Sequence, residues 1–464
     1  VLSQTQIDRF EESKTATAPV MIVNPKEALK AEKGKPSGTK TWTFKAENVR
    51  DFAFASSRKF IWDAMGVEVD GKTIMCMSYY PKEGNPLWEK YSTEVVAHTI
   101  KTYSHYTIPY AYPVAISVHT DRIGMEYPMI CFNGGRPEAD GTYSEGTKYG
   151  MLGVIIHEVG HNFFPMIINS DERQWTWMDE GLNTFVQYLT EVEWDPNYPS
   201  RRGNPAKIVD YMKGDQAMIS PIMTNSESIF QFGNNAYGKP ATALNILRET
   251  ILGRELFDFA FKTYAERWAY KHPTPADFFR TMEDASGVDL DWFWRGWFYG
   301  TDPVDISIDE VKLYKIDSKN PDKELAFKRA LNDAEPEFLG EQINAKTITS
   351  PIVNQKPELK DFYNSWDRYE ATSYDREQYQ NLLKGLTEEE KEILSRVART
   401  NIDTTQKSVV NSKTILEAQS LLNDIYIAPK ILDYILNIVF ATRNPEKFKL
   451  GQLKDLISFG ASPR

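Results

Sequence analysis

Residues 157–161 have the sequence His157-Glu158-Val159-Gly160-His161, and the segment Trp177-Met178-Asp179-Glu180-Gly181 follows after a short gap. A helix turns by about 100° per residue, so side chains four positions apart lie on the same face. His157 and His161 can therefore direct both imidazole rings at one metal ion. Glu158 lies three residues before His161, and we expect its carboxylate to face the same space without binding the metal.

Glu180 is the expected third metal ligand, since eighteen residues separate it from His161. Residues 179–194 are predicted to form a helix, because the apolar side chains Leu182, Phe185, Val186 and Leu189 recur at helical intervals. Two antiparallel helices would bring the three ligands together. Three protein ligands leave one position open, which is typical of catalytic zinc sites. The pattern predicts one Zn²⁺, with Glu158 as the general base that accepts a proton from water.

A surface helix that carries two histidines by chance is the alternative interpretation. The chain has only six histidines, and two of them lie in this pentapeptide. The preceding residues 150–156 are largely apolar, so the two rings would face a packed interior in which an unpaired polar group costs free energy. Both observations favour the metal site.

Two further motifs lie on either side of the histidines. Gly124-Met125-Glu126-Tyr127 precedes them, and Tyr237-Gly238-Lys239 follows them. In this order the four motifs resemble those of the aminopeptidase N family of gluzincin zinc peptidases, and the resemblance covers roughly residues 45–385.

The resemblance implies a role for several residues. Glu126, within the motif that also contains Gly124 and Met125, would bind the α-ammonium group of a peptide, and a carboxylate in a closed cleft suits that cation. A solvated acid in the turn before Pro128 is the alternative interpretation of Glu126. Asp121 is a weaker candidate for a second negative charge.

The tyrosine of the downstream motif has a different implied role. Tyr237 would donate a hydrogen bond to the oxyanion that forms as the scissile carbonyl is attacked. Two departures from the family pattern suggest a divergent bacterial branch: Tyr127 replaces an asparagine, and Phe164-Pro165 replaces an aromatic residue followed by glycine. These departures concern recognition of the amino end more than hydrolysis.

The expected fold class is α+β, with a thermolysin-like gluzincin catalytic domain built from a small mixed sheet plus helices. Residues 1–55 are predicted to hold a remnant of an N-terminal β-sandwich, including the strand-like segment 41–45. Residues 56–304 are predicted to form the zinc peptidase domain, residues 305–385 a polar connecting region, and residues 386–464 a helical segment.

Particular elements of the catalytic domain are also predicted. We expect a helix over residues 86–104, a buried strand over 114–118, and a substrate-binding edge strand over 124–132. The aromatic run 292–297 is expected to pack in the core rather than to form a stacking platform.

The C-terminal segment resembles a different family. The stretches 415–419, 434–435, 441–446 and 459–464 are similar to the helical lid of MoxR-type AAA+ ATPases, in which the residue matching Arg464 senses nucleotide. The sequence contains no phosphate-binding loop of the form G-x-x-x-x-G-K-[ST]. The nearest stretch, Gly141–Lys148, has Thr147 where that motif requires lysine. We therefore expect no nucleotide as partner. A gene fusion, an artefactual joining and a plain helical appendage are the alternatives.

Composition excludes several classes of partner. The 464-residue chain has a formal net charge of −11 and no clusters of Lys and Arg, so nucleic acid is not an expected partner. No run of eighteen apolar residues occurs, and no membrane span is expected. Cys76 and Cys131 are expected to be buried thiols. The chain begins at Val1, which suggests a processed form or a fragment, and the cell envelope is the favoured location, with the cytoplasm as the alternative.

The leading functional hypothesis is zinc-dependent hydrolysis of peptide bonds by an aminopeptidase. A zinc endopeptidase is the first alternative, if Tyr127 leaves room for a longer chain beyond Glu126. A non-catalytic binding fragment is the second, because the flanking domains of the family are missing.

Overall fold

The computed structural model describes residues 2–35, 37–302 and 317–386. The predicted lid-like segment 386–464 lies outside these residues except for its first position. The helices in the described ranges are α1 (Gln4–Ser13), α2 (Pro25–Lys33), α3 (Leu87–Tyr106), α4 (Glu145–Gly160), α5 (Leu182–Trp194), α6 (Val209–Met212), α7 (Lys239–Ile246), α8 (Arg254–Trp268), α9 (Pro275–Ser286), α10 (Asp291–Trp294), α11 (Pro321–Ala334), α12 (Leu339–Thr347), α13 (Ile352–Gln355) and α14 (Ser373–Lys384).

A mixed sheet of six strands accompanies the helices. Its strands are β1 (Val20–Val23), β2 (Ile61–Val69), β3 (Lys72–Tyr80), β4 (Val114–His119), β5 (Gly124–Tyr127) and β6 (Ile130–Asn133). The spatial order is β1-β2-β3-β4-β6-β5. β3, β4 and β6 are parallel neighbours, whereas β1–β2, β2–β3 and β5–β6 are antiparallel. The predicted mixed sheet plus helices is confirmed.

The predicted strand over residues 124–132 is two strands. A tight turn at Pro128 and Met129, the latter with a φ of 69°, folds β5 back on β6, so that β5, and not β6, lies at this edge of the sheet. Since β5 pairs on one side only, its outer backbone groups remain available to an extended chain.

The predicted β-sandwich remnant is not seen in the described part of residues 1–55. This region forms α1, β1 and α2, and β1 extends the central sheet through its pairing with β2. Residues 41–45 form no strand, and Trp42 and Phe44 are 69% and 55% exposed. Alternation of apolar and polar residues stabilises a strand only where a partner strand pairs with it and another layer packs on it. Residues 41–45 have neither among the described residues.

Helices α3 and α4 pack against this sheet. α3 contacts β2, β3 and β4 as well as α4, and α4 in turn contacts β6 and α5. The predicted helix over 86–104 corresponds to α3. Of the aromatic run 292–297, Phe293 and Trp294 are buried as expected, whereas Trp292 is 61% exposed.

A chain of buried polar side chains crosses the interface between the sheet and α3. Asp63 on β2 accepts hydrogen bonds from Thr93 on α3 and from Tyr80, the latter at 2.5 Å. The chain continues through hydroxyl contacts among Thr93, Ser78, Ser92 and Ser117, and it ends at Asn133 on β6. These groups are almost completely inaccessible to water, so their hydrogen bonds replace those that water would make.

The segment predicted as a connecting region contains helices. Of the described residues, 335–368 belong to the same compact unit as 2–35 and 37–302, and 317–334 and 369–386 belong to a second unit. Within the first unit, Asp361 accepts hydrogen bonds from Lys148 at 2.8 Å, Tyr91 at 3.0 Å and Tyr143 at 2.9 Å. Within the second, α11 contacts α14, where Arg376 pairs with Asp322. The boundaries of the four predicted regions stay predictions.

Two further expectations concern the whole described chain. Both Cys76 and Cys131 are buried free thiols. Among residues 2–35, 37–302 and 317–386, no helix is long and apolar enough to cross a membrane.

Candidate metal and active site

The histidine motif lies at the C-terminal end of α4. Ser144 caps the start of this helix, where its side chain accepts a hydrogen bond from the backbone N–H of Thr147. His157 and Glu158 occupy the last turn, and His161 is the C-cap residue. The helix is buried over most of its last two turns, which brings the polar residues of the motif into the interior.

The three predicted ligands converge. The Nε2 atoms of His157 and His161 lie 3.0 Å apart, and Oε2 of Glu180 lies 2.9 Å from the first and 3.3 Å from the second. Glu180 reaches this position because residues 177–181 form a wide π-helical turn that leads directly into α5. Contacts between α4 and α5 hold the two segments side by side.

The other ring nitrogens have partners of their own. His157 Nδ1 lies 2.9 Å from Oε1 of Gln187. His161 Nδ1 lies 2.8 Å from the carbonyl oxygen of Phe164 and 2.8 Å from Oδ1 of Asp179. An amide, carbonyl or carboxylate oxygen requires a donor, so these contacts place the proton on Nδ1 and leave the Nε2 lone pair facing the other ligands.

This arrangement fits a divalent metal ion. Two imidazole lone pairs and one carboxylate, all facing one point in a buried site, repel one another unless a cation lies between them. Zinc bonds of about 2.0–2.2 Å to such atoms place tetrahedral ligands about 3.3 Å apart, close to the separations described above. The nitrogen and carboxylate donors also match the set that zinc prefers.

Glu158 has the properties of a base rather than of a ligand. Its side chain is buried, and its Oε2 atom has no hydrogen-bond partner among the described residues. Burial raises the pKa of Glu158 to about 7, against the opposing effect of the two histidines. A carboxyl group with a pKa near neutrality both accepts and returns protons effectively.

Gly124 on β5 lies against the Glu158 carboxylate. A methyl group on Gly124 would overlap that carboxylate and would approach Val154 Cγ2 to 2.9 Å. The absence of a side chain at this position therefore lets the edge strand lie next to the base.

The remaining residues of the upstream motif differ in position. Glu126 is partly buried, and its carboxylate oxygen lies within 4.8 Å of ligand atoms of His161 and Asp179. Met125 is 37% exposed. Asp121 is not part of the cluster: its side chain is 74% exposed and lies 3.7 Å from Arg122, so the suggested second negative charge for an amino group gains no support.

Tyr237 lies against His157, whereas Glu126 lies near His161 and Asp179. Its ring stacks on that of His157, with centroids 5.6 Å apart. Burial and the adjacent Glu180 carboxylate hold the pKa of Tyr237 well above its ordinary value, so the hydroxyl keeps its proton and can donate it in a hydrogen bond. Arg202 covers the same ring, with Cζ 4.4 Å from its centroid.

The sequence analysis missed several residues that line this region. Thr184, Gln187 and Glu191 follow Glu180 at intervals of four, seven and eleven positions along α5, so all four lie on one face of the helix. A polar face on an otherwise buried helix was the signal that could have identified them. Arg201 and Arg202 lie in a loop without a motif, and the sequence gives no such signal for them.

Asn183 clamps the two ligand-bearing segments together. Its Nδ2 group donates to the carbonyl oxygen of His157 at 2.8 Å, and its Oδ1 atom accepts from the Tyr103 hydroxyl at 2.7 Å. Gly160 permits this contact, because a methyl group there would overlap both Asn183 Oδ1 and the Tyr103 hydroxyl.

Comparison with known proteins supports the resemblance found in the sequence. Residues 91–297 match the model of the peptidase family M1 domain, which confirms the resemblance to the aminopeptidase N family. The resemblance of residues 386–464 to an ATPase lid finds no support.

Similar proteins include several aminopeptidases. Aminopeptidase M1-A of Oryza sativa subsp. japonica is 22% identical over 50% of this chain and 28% of its own length. Probable aminopeptidase 1 of Sulfurisphaera tokodaii is 23% identical over 48% of this chain and 30% of its own length. The chain thus spans less than a third of these two relatives.

Solved structures are also similar. An M1 zinc metallopeptidase from Deinococcus radiodurans has a TM-score of 0.41 and 17% identity, with 53% of this chain and 55% of that chain covered. Legionella pneumophila aminopeptidase A has a TM-score of 0.42 and 16% identity, with coverage of 52% and 28%.

Proposed function

We propose that this chain is a zinc-dependent aminopeptidase that releases N-terminal residues from peptides, since residues 91–297 match the model of the peptidase family M1 domain. One observation carries the proposal. The Nε2 atoms of His157 and His161 and Oε2 of Glu180 lie 2.9–3.3 Å from one another, beside a buried carboxylate that has an unpartnered oxygen. A purely structural cluster has no need of that free carboxylate oxygen.

His157, His161 and Glu180 would hold the zinc ion. When bound, zinc would polarise the scissile carbonyl and stabilise negative charge on its oxygen. Gln187 and Phe164 fix the orientation of the two rings, since each accepts a hydrogen bond from an Nδ1–H group.

Glu158 would move the proton. Its carboxylate accepts a proton from the attacking water and returns it to the departing amine. Tyr237 would donate a hydrogen bond to the oxyanion, an interaction that is strongest in the transition state. Its protonated hydroxyl at neutral pH agrees with this role.

Glu126 would select the amino end of the substrate. Its carboxylate lies against the cluster on the side of His161 and Asp179, so it can pair with the α-ammonium group of the residue whose carbonyl is attacked. The edge strand β5, which contains Glu126, would align the peptide backbone. A location in the cell envelope remains part of this proposal only as a prediction from sequence.

A single variant tests the chemistry. Glu158→Gln is expected to retain one zinc ion per chain and to lose about 10²-fold or more in the rate of hydrolysis of an amino-acid anilide. Metal analysis and kinetics on the same preparation separate the two properties. Normal turnover by the zinc-loaded variant would exclude Glu158 as the base, and a wild-type chain with zinc but no turnover would favour the binding-fragment alternative.

A pair of substrates tests the exopeptidase part. A peptide with a free amino group should be cleaved at least about tenfold faster than its N-acetylated counterpart, because only the free amine can pair with Glu126. The control is Asp121→Asn, which removes an exposed carboxylate outside the cluster and should preserve this ratio. Equal cleavage of both peptides would favour the endopeptidase alternative.

A further inference from the structure

A cavity of about 430 Å³ opens next to the metal-ligand cluster. His157, Glu158 and Tyr237 form the wall nearest the cluster, and Arg201 and Arg202 contribute to the remainder. This volume is within the range of sites that hold small ligands. The cavity is therefore continuous with the reacting centre and carries two cationic side chains.

Arg202 lines this cavity and forms no direct ion pair with a carboxylate of the described residues, although Glu180 and Glu191 lie near enough to attract its charge. Its guanidinium group contacts the ring of Tyr237, and no described residue forms an ion pair or a hydrogen bond with it. The side chain is only partly exposed. A guanidinium group has five N–H donors, and contact with an aromatic ring satisfies none of them by a hydrogen bond. A half-buried arginine of this kind favours an anionic ligand.

Two of the three carboxylates in the cavity lining have partners elsewhere, and the third, Glu158, lies against Gly124 beside the ligand cluster. Glu191 accepts a hydrogen bond from Gln187 at 2.8 Å, and Glu145 pairs with Arg368 at 3.3 Å. Neither carboxylate forms an ion pair with Arg201 or Arg202 in the described part of the chain. The two arginines therefore remain available to a carboxylate from outside the protein.

The cavity lies on the side of the cluster that would receive the departing part of a peptide. Glu126, the proposed partner of the amino end, lies near His161 and Asp179 and is absent from the described lining of the cavity. A peptide whose first residue pairs with Glu126 and whose scissile carbonyl lies at the cluster must continue away from Glu126. We expect that part of the peptide to pass His157 and Tyr237 and to enter the cavity.

We propose that Arg202, assisted by the charge of Arg201, binds a carboxylate on the part of the peptide that follows the scissile bond. This inference rests on the proposed aminopeptidase function and names its substrate class as short peptides with an anion beyond the bond that is cleaved. The carboxylate has two possible sources: the C-terminus of a dipeptide or tripeptide, and an Asp or Glu side chain next to the scissile bond. Both offer the planar oxygen pair that a guanidinium group binds with two hydrogen bonds.

Binding measurements on a zinc-loaded Glu158→Gln chain test the proposal without turnover. The probes form two pairs. The first pair, Leu-Gly-Gly and its C-terminal amide, differs in the terminal carboxylate. The second pair, the C-terminal amides of Leu-Asp-Gly and Leu-Asn-Gly, differs in the side-chain carboxylate. A carboxylate should improve the Kd by about tenfold or more in one or both pairs, and the pair that responds identifies the source. Arg202→Gln in the same background should abolish that preference, whereas Arg202→Lys should retain part of it.

Lys207→Gln is the matched control, since it removes one exposed positive charge from the same loop outside the cavity. It should preserve the preference. Equal binding of acid and amide in both pairs, or a preference that persists in Arg202→Gln, would overturn the proposal.

Hydrolysis of leucine anilide by the wild-type chain separates the two proposals, because this substrate has no carboxylate. Anilide turnover without a carboxylate preference leaves the aminopeptidase function standing and removes the role of Arg202. A carboxylate preference without anilide turnover retains the binding site and removes the proposed activity.

Discussion

Gln187 fixes the orientation of a proposed zinc ligand, since its Oε1 atom lies 2.9 Å from Nδ1 of His157. The same amide donates from Nε2 to the Glu191 carboxylate at 2.8 Å, which determines which end of the amide faces the histidine. The tautomer of His157 is thus set by a residue seven positions beyond Glu180.

Gln187→Met should weaken zinc binding by about 10–100-fold, because the ring of His157 loses its acceptor while its packing volume is kept. Competition with a chelator of known zinc affinity measures this change. Gln342→Met, an exposed substitution elsewhere in the same unit, should leave the zinc affinity unchanged. An unaltered affinity in Gln187→Met would show that the hydrogen bond does not orient the ligand.

Gly160→Ala should destabilise the fold and lower zinc affinity together. The added methyl group forces Asn183 and Tyr103 apart, and overpacking of this kind costs about 1–3 kcal/mol. Urea unfolding and zinc titration of one preparation report both effects. Gly150→Ala is the stability control on the same helix, since a methyl group there meets no atom within 4 Å, and it should not destabilise the protein.

Lys148→Met should reduce the free energy of unfolding by about 3 kcal/mol, because it leaves the Asp361 carboxylate without its cation. The lysine is 1% exposed and the aspartate 12%, so solvent screens their interaction only weakly. In a double-mutant cycle, the variant with both Lys148→Met and Asp361→Asn should lose less unfolding free energy than the two single variants lose in sum. Lys213→Met, which breaks an exposed pair with Asp210, should have little effect. Additive losses at Lys148 and Asp361 would contradict the coupling.

Asp63 should make stability depend on pH. Burial raises the pKa of Asp63 from 3.8 to about 7, so the folded chain retains a proton that the unfolded chain releases between these values. Its contribution is therefore most favourable below pH 4 and decreases as pH rises to about 7. Asp63→Asn cannot titrate, so its free energy of unfolding should fall less between pH 5 and pH 8 than that of the wild type. Parallel pH profiles would show that Asp63 is not the group responsible.

The three proposed metal ligands could be found from the sequence, because local periodicity determines where they lie. His157 and His161 occupy one helical face wherever residues 157–161 are helical, and Glu180 needed only a second helix beside the first. The same periodicity places Gln187 on the polar face of α5, beside the proposed ligands.

Other features depend on contacts between distant segments. Asp361 meets Lys148 across more than two hundred positions, and a polar stretch without periodicity gives no indication of such a partner. Arg202 contacts the ring of Tyr237, which lies in a different segment, and no local pattern indicates this contact. At residues 41–45, strand propensity was a misleading guide, because a strand also requires a partner that this segment lacks.

The hydroxyl chain from Asp63 to Asn133 also constrains how this protein can evolve. Among the described residues, each hydroxyl of this chain has hydrogen-bond partners only within it, so a single apolar replacement at Ser78, Ser92 or Ser117 leaves a neighbouring polar group without a partner in the buried interior. We therefore expect substitutions at these three positions to occur together during evolution rather than singly. In a family alignment, their columns should covary although the residues are distant along the chain and none of them lies in the catalytic motifs.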